Sequence, residues 1–172
     1  MILLCNQLIK VFIIMTILVL IFGTLLHFTY DWSKNNSFVG IFSAVNESTW
    51  EHLKLSFFPM LIFGIISYFF IKGIANNFIE GITIGILVNM IFIVLFFYGY
   101  QAILGRNVDF LNILDFILGV IIGELSFYKV VSMEDSSSII TKVLCLCILV
   151  ILFICFLVFT YFPLGLEIFR TP

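Results

Sequence analysis

The apolar positions of this chain gather into five long runs, near residues 9–30, 48–71, 78–104, 109–131 and 139–162, with short polar stretches between them. A helix needs about 20 residues to cross a hydrocarbon core ~30 Å thick, and each run is long enough. The pattern predicts an all-α integral membrane bundle of five transmembrane helices, forming a single domain over residues 1–172. The first run follows Lys10, carries no charge from 11 to 26 and ends at Tyr30 and Trp32, an interfacial aromatic pair. No small-residue cleavage site follows, so it reads as an uncleaved span rather than a signal peptide. Residues 33–45 read as a loop that dips back against the membrane surface. The second run opens with Ser48-Thr49-Trp50-Glu51, a capping box in which Ser48 and Glu51 satisfy each other's free backbone N–H groups. Pro59 interrupts that run; it deprives the Leu55 carbonyl of its helical donor and bends the axis. Turns are predicted at 72–77 and at Gly105-Arg106-Asn107, an acidic, serine-rich loop at 133–138, and a stop at Pro163.

Composition settles the solvent. Of 172 residues, 63% are hydrophobic and 10% charged, and the mean hydropathy is +1.26. Soluble domains are about half apolar and roughly a quarter charged. Eighteen charged side chains could not keep so much Phe, Ile and Leu in water, so the lipid bilayer is the expected partner. A net charge of −2 argues against a nucleic-acid partner, which would call for a basic face. Three of the four cysteines, Cys145, Cys147 and Cys155, fall in the last apolar run, and with Cys5 they form no Cys-x-x-Cys pair; they read as small hydrophobes.

An odd number of spans sorts the polar residues onto two sides. One side receives Asp31, Glu47, Glu51, Asp109, Asp115 and Glu167, with Lys34, Lys54, Arg106 and Arg170. Both histidines, His27 and His52, fall there too. Lys10 before the first span and Asp31 after it favour a cytoplasmic N-terminus.

The densest polar stretch is Val45-Asn46-Glu47-Ser48-Thr49-Trp50-Glu51-His52-Leu53-Lys54. Acids at a helix start are explained by the positive end of its dipole. That accounts for Glu47 and Glu51 but not for His52 and Lys54, one turn further in. Glu47, Glu51 and Lys54 share one stripe of the helix, and His52 sits on a neighbouring one. Two imidazoles and nearby carboxylates at one interface make a donor set for Zn²⁺ or a similar divalent ion: the candidate ligands are His27, Asp31, Glu51 and His52, with Glu47 beside them. Acid–base candidates are Glu47, Glu51, His52 and Asp115. Asn46, Lys54, Arg106, Asp109 and Asp115 complete a polar network, in which Lys54 or Arg106 is the natural partner of the intramembrane Asp115. Glu80 directly precedes Gly81-x-x-x-Gly85 and Glu124 directly follows Gly119-x-x-x-Gly123, so these glycines are expected where the third and fourth spans touch.

Residues 42–54, followed by Phe57-Phe58-Pro59-Met60, resemble a family of small multi-pass membrane proteins of unknown function from Gram-positive, clostridium-like bacteria; Asn-Glu-Ser-x-Trp-Glu-His is the specific part. His27, Gly105, Asp115 and Phe162-Pro163 fit the same resemblance, while the tail is shorter than the family's. It implies a bacterial plasma membrane and no particular activity. Three functional readings follow: a membrane protein with a polar pocket at one interface, a metal-dependent intramembrane hydrolase, and a small transporter or channel component. The last lacks the internal repeat of common transporters, which a homodimer would supply.

Overall fold

The computed structural model describes residues 2–134 and 138–171, with side chains from Asn6 onward. The Cys5 side chain and residues 135–137 of the acidic loop lie outside that description. Five long helices carry the chain: α1 (Ile2–Trp32), α3 (Thr49–Ile71), α4 (Phe78–Leu104), α5 (Asp109–Val131) and α6 (Ile139–Tyr161). A single helical turn, α2 (Ser37–Gly40), sits between α1 and α3, and a 3₁₀ turn (Glu167–Phe169) follows α6. All five long helices are long and apolar enough to cross a membrane. α1 begins well before the apolar run near residue 9, because Leu3, Leu4 and Ile9 continue the helix without a breaker. The loop after α1 is more ordered than its composition suggests, since the Asn36 side chain caps α2 by accepting from the Phe38 N–H at 2.9 Å.

Local chemistry sets the helix ends. The Ser48 hydroxyl accepts from the Glu51 N–H and starts α3. Asn77 takes a left-handed conformation (φ 47°), which asparagine tolerates better than most residues, and turns the chain into α4. Its neighbour Asn76 ties that turn to the end of α5, the backbone N–H donating to the Val131 carbonyl and the side chain to Met133.

Small residues set the closest approaches. A Cβ on Gly123 would lie 2.8 Å from the Gly85 carbonyl oxygen, and one on Gly85 would lie 2.9 Å from that of Gly123, so α4 and α5 meet backbone to backbone. The same seam carries Gly81 against Phe127 and Val131, and Gly119 against Asn89 and Ile93. α1 meets α3 at Gly23, where any Cβ would strike the Leu55 carbonyl, the group that Pro59 leaves without a helical donor. The proline and the glycine thus form one feature: the freed carbonyl occupies the space that the missing side chain opens.

The core runs through Val19, Phe57, Ile86, Val120 and Phe156, all fully buried. α6 is the peripheral helix, held by Phe156 against Phe57 (ring centroids 4.8 Å apart) and by Thr83 Oγ1 donating to the Cys145 carbonyl. One end of the bundle gathers the close of α1, the start of α3, the α4–α5 turn and the close of α6. There the Tyr161 hydroxyl donates to the Ser37 carbonyl, and Trp50 packs on Phe169 at 5.0 Å.

Candidate functional site

At that end, the start of α3 presents two polar constellations to different surroundings. The first joins α1 to α3. Asn46 Oδ1 accepts from the Ser48 N–H at 2.9 Å, a turn that sets Glu47 on the outer side of the cap. His52, one turn into the helix, has Nδ1 at 2.9 Å from the Ser48 carbonyl. A carbonyl can only accept, so Nδ1 carries the proton and the Nε2 lone pair faces outwards. That Nε2 lies 3.3 Å from Glu47 Oε2, and His27 Nε2 of α1 lies 3.8 Å from the same oxygen. The two imidazole rings stand edge to face, with centroids 5.2 Å apart.

One donor atom from each of His27, Glu47 and His52 falls within 4.8 Å of the other two. Zinc bonds of about 2.0–2.2 Å hold tetrahedral donors roughly 3.3–3.6 Å apart, so small side-chain rotations suffice to close the set. Two imidazole nitrogens and a carboxylate oxygen, with one histidine oriented by a backbone carbonyl, match the donor chemistry of an open zinc centre. Glu47 keeps 65% of its side chain exposed, and the histidines about a third, so one side of the cluster faces the interface.

The second constellation lies just inside and is closed. The Lys54 side chain is fully buried. Its ammonium donates to Glu51 Oε2 at 2.5 Å, to the Gly40 carbonyl at 2.8 Å and to Thr160 Oγ1 at 2.9 Å, which uses all three N–H groups. Glu51 Oε2 also accepts from the Val45 N–H at 2.9 Å, and Oε1 accepts from Thr160 at 3.1 Å. One buried ion pair therefore pins the chain on both sides of residues 41–44 and the end of α6 to α3.

The remaining candidates separate from these two groups. Asp31 is exposed and outside the three-residue cluster, and Glu51 faces Lys54 rather than the histidines. Arg106 and Asp109 are exposed at the α4–α5 turn. The expected pairing of Asp115 with Lys54 does not form: Lys54 is committed to Glu51, and Asp115 is buried with Oδ1 lacking a hydrogen-bond partner. Charge matching between helices ignored that a lysine three residues after a glutamate on the same helix has a nearer partner. Asn89, at the α4–α5 seam, accepts from the Ser56 hydroxyl at 2.6 Å, while Glu80 and Glu124 are buried with carboxylate oxygens lacking partners. Thr160 is the functional neighbour that sequence reasoning missed; its signal was an aliphatic hydroxyl beside Tyr161 near the end of the most apolar span.

Fold and site together define a multi-pass helical membrane protein with a polar cluster at one end of its bundle. The model of a family of unknown function, DUF6512, matches residues 3–172, and the chain belongs to that family. No curated protein and no solved structure matches it.

Proposed function

We propose that His27, Glu47 and His52 form a divalent-metal site, best suited to Zn²⁺, and that the protein is a metal-dependent hydrolase acting at the membrane interface. The observation that carries this reading is the shared Glu47 oxygen between two Nε2 atoms, with the His52 tautomer fixed by Ser48. A Zn²⁺ held by three side chains supplies an acidified water at its open position. In this chain, His27 and His52 hold the ion, Glu47 completes the set, and Ser48 keeps His52 oriented. Glu51 is fully engaged by Lys54, Val45 and Thr160, so general-base work falls to a residue outside that buried pair. The resemblance of residues 42–54 supports a bacterial plasma membrane as the setting, with the N-terminus cytoplasmic on the strength of Lys10 and Asp31.

Elemental analysis of protein purified without added chelator tests the reading. About one zinc per chain is expected, lost in His27→Ala and in His52→Ala and kept in Glu167→Ala, whose carboxylate pairs with Arg170 away from the cluster. Background metal in the unaltered protein after zinc reconstitution overturns it.

A further inference from the structure

A second concavity lies on the α1–α3 pair, reaching past the level of His27 towards the middle of the membrane, and its chemistry is the opposite. It measures about 830 Å³, within the range of small-molecule sites. Phe22 and Phe63, with ring centroids 5.0 Å apart, mark its deep end. Phe38 and Phe42 close it at the interface, beside Trp32 and Ser33. The hydroxyls on its wall are already committed: Thr29 donates to Ser43 and to the Leu26 carbonyl, and Ser33 to the Tyr30 carbonyl. Apart from these hydroxyls and the Trp32 indole N–H at the interfacial end the wall is apolar, so the occupant is hydrocarbon over most of its length.

Length identifies which hydrocarbon. From Phe22 to Trp32 along α1 is ten residues, about 15 Å of helix, or half of a core ~30 Å thick. The groove thus runs from the interface to the middle of the bilayer, the depth of one leaflet. α2 lies across its interfacial end, held in place by the Asn36 cap and by the Tyr161 hydroxyl. A transmembrane helix from a second copy is about 10 Å wide and would have to continue past α2 to leave the membrane. An acyl chain ends there in its head group.

We infer that this groove is a binding site for one acyl chain of a bilayer lipid, entering sideways from a single leaflet, with its head group beside Trp32 and Ser33. The site is independent of the metal cluster, from which α1 and the α3 start divide it. It holds lipid whether or not a metal is bound.

Native mass spectrometry of protein in mild detergent reads the inference directly. The unaltered chain should keep about one lipid through a delipidating wash. Leu26→Trp and Ile62→Trp, which fill the groove, should each retain at least tenfold less; Leu95→Trp, on an exposed face elsewhere, should retain it. Zinc content should be the same in all of them, so a failure of the metal reading leaves this one standing. A photoreactive acyl chain in the bilayer gives a second readout on the unaltered protein, with label expected on peptides containing Phe22, Phe38 or Phe63. Lipid that washes out of the unaltered chain, label spread evenly over the lipid-facing helices, or a dimer that the groove-filling variants disrupt would each overturn the inference.

Discussion

Two polar groups begin within a few residues of each other on α3 and end in opposite conditions. Glu51 and Lys54 are buried, and every hydrogen of the ammonium has an acceptor. His27, Glu47 and His52 are half open, and both Nε2 atoms converge on one carboxylate oxygen, the His52 lone pair among them because its proton sits on Nδ1. The difference separates structure from chemistry. A satisfied network has no valence left for a ligand, and breaking it costs the fold. A carboxylate oxygen facing the His52 Nε2 lone pair, with a second imidazole nitrogen beside it, is poorly arranged for its own stability and well arranged for a cation. The same sequence stretch supplies both because the helix turns His52 towards α1 and Lys54 towards α6.

Substitutions on each side sharpen that contrast. The largest effect on the fold is expected from Lys54→Met, which leaves Glu51 buried without its partner; breaking a buried pair from one side costs about 3–5 kcal/mol. Thermal unfolding in detergent should show it. Glu51→Leu combined with Lys54→Met should recover much of the loss, because an apolar replacement of both partners is often close to neutral. A double variant no more stable than the single one would mean that the Gly40 and Val45 anchors, rather than the charges, carry the network.

A smaller loss is expected at the α4–α5 seam, away from both groups. Gly123→Leu forces a side chain against the Gly85 carbonyl and should cost about 1–3 kcal/mol, the usual range for overpacking. Unchanged melting would show that the two helices separate freely there. The smallest effect on the fold belongs to His27→Ala and His52→Ala. These half-exposed groups should cost under about 1 kcal/mol while removing bound zinc. If either histidine change destabilises the protein as much as Lys54→Met, the open cluster is structural and the contrast disappears.

Much of this architecture could be read from residue order. Spans follow from apolar runs and the α3 start from Ser48, because hydropathy and capping act over a few neighbouring residues; the reciprocal half of the expected capping box does not form, since the Ser48 N–H donates to Asn46 and Glu51 turns to Val45 and Lys54. The level of His27 and His52 along their helices was equally legible. Which face each presents was not: that depends on how α1 crosses α3, and the crossing is set by Gly23 fitting over the Leu55 carbonyl. Thr160 lies 106 residues from Lys54, and no local rule connects them. Asp115 shows the limit from the other direction. Its depth was visible in the sequence, but a partner was assigned by charge alone, and the nearer Glu51 had already taken that partner.

The Glu51–Lys54 pair also bears on how the protein is made. Its partners are three residues apart on one helix, so they can meet before any other span is in place. A lone charge costs up to ~2.5–3.5 kcal/mol at the centre of an inserting helix and less near its ends, and the start of α3 would otherwise bring two opposite ones towards lipid together. Paired in advance, they let the segment partition as a nearly neutral hydrophobe. Thr160 belongs to α6, synthesised after α3, so the network receives its final hydrogen bonds only when α6 docks. The charges that hold the finished bundle together are thereby matched during biogenesis, and the arrival of α6 seals them.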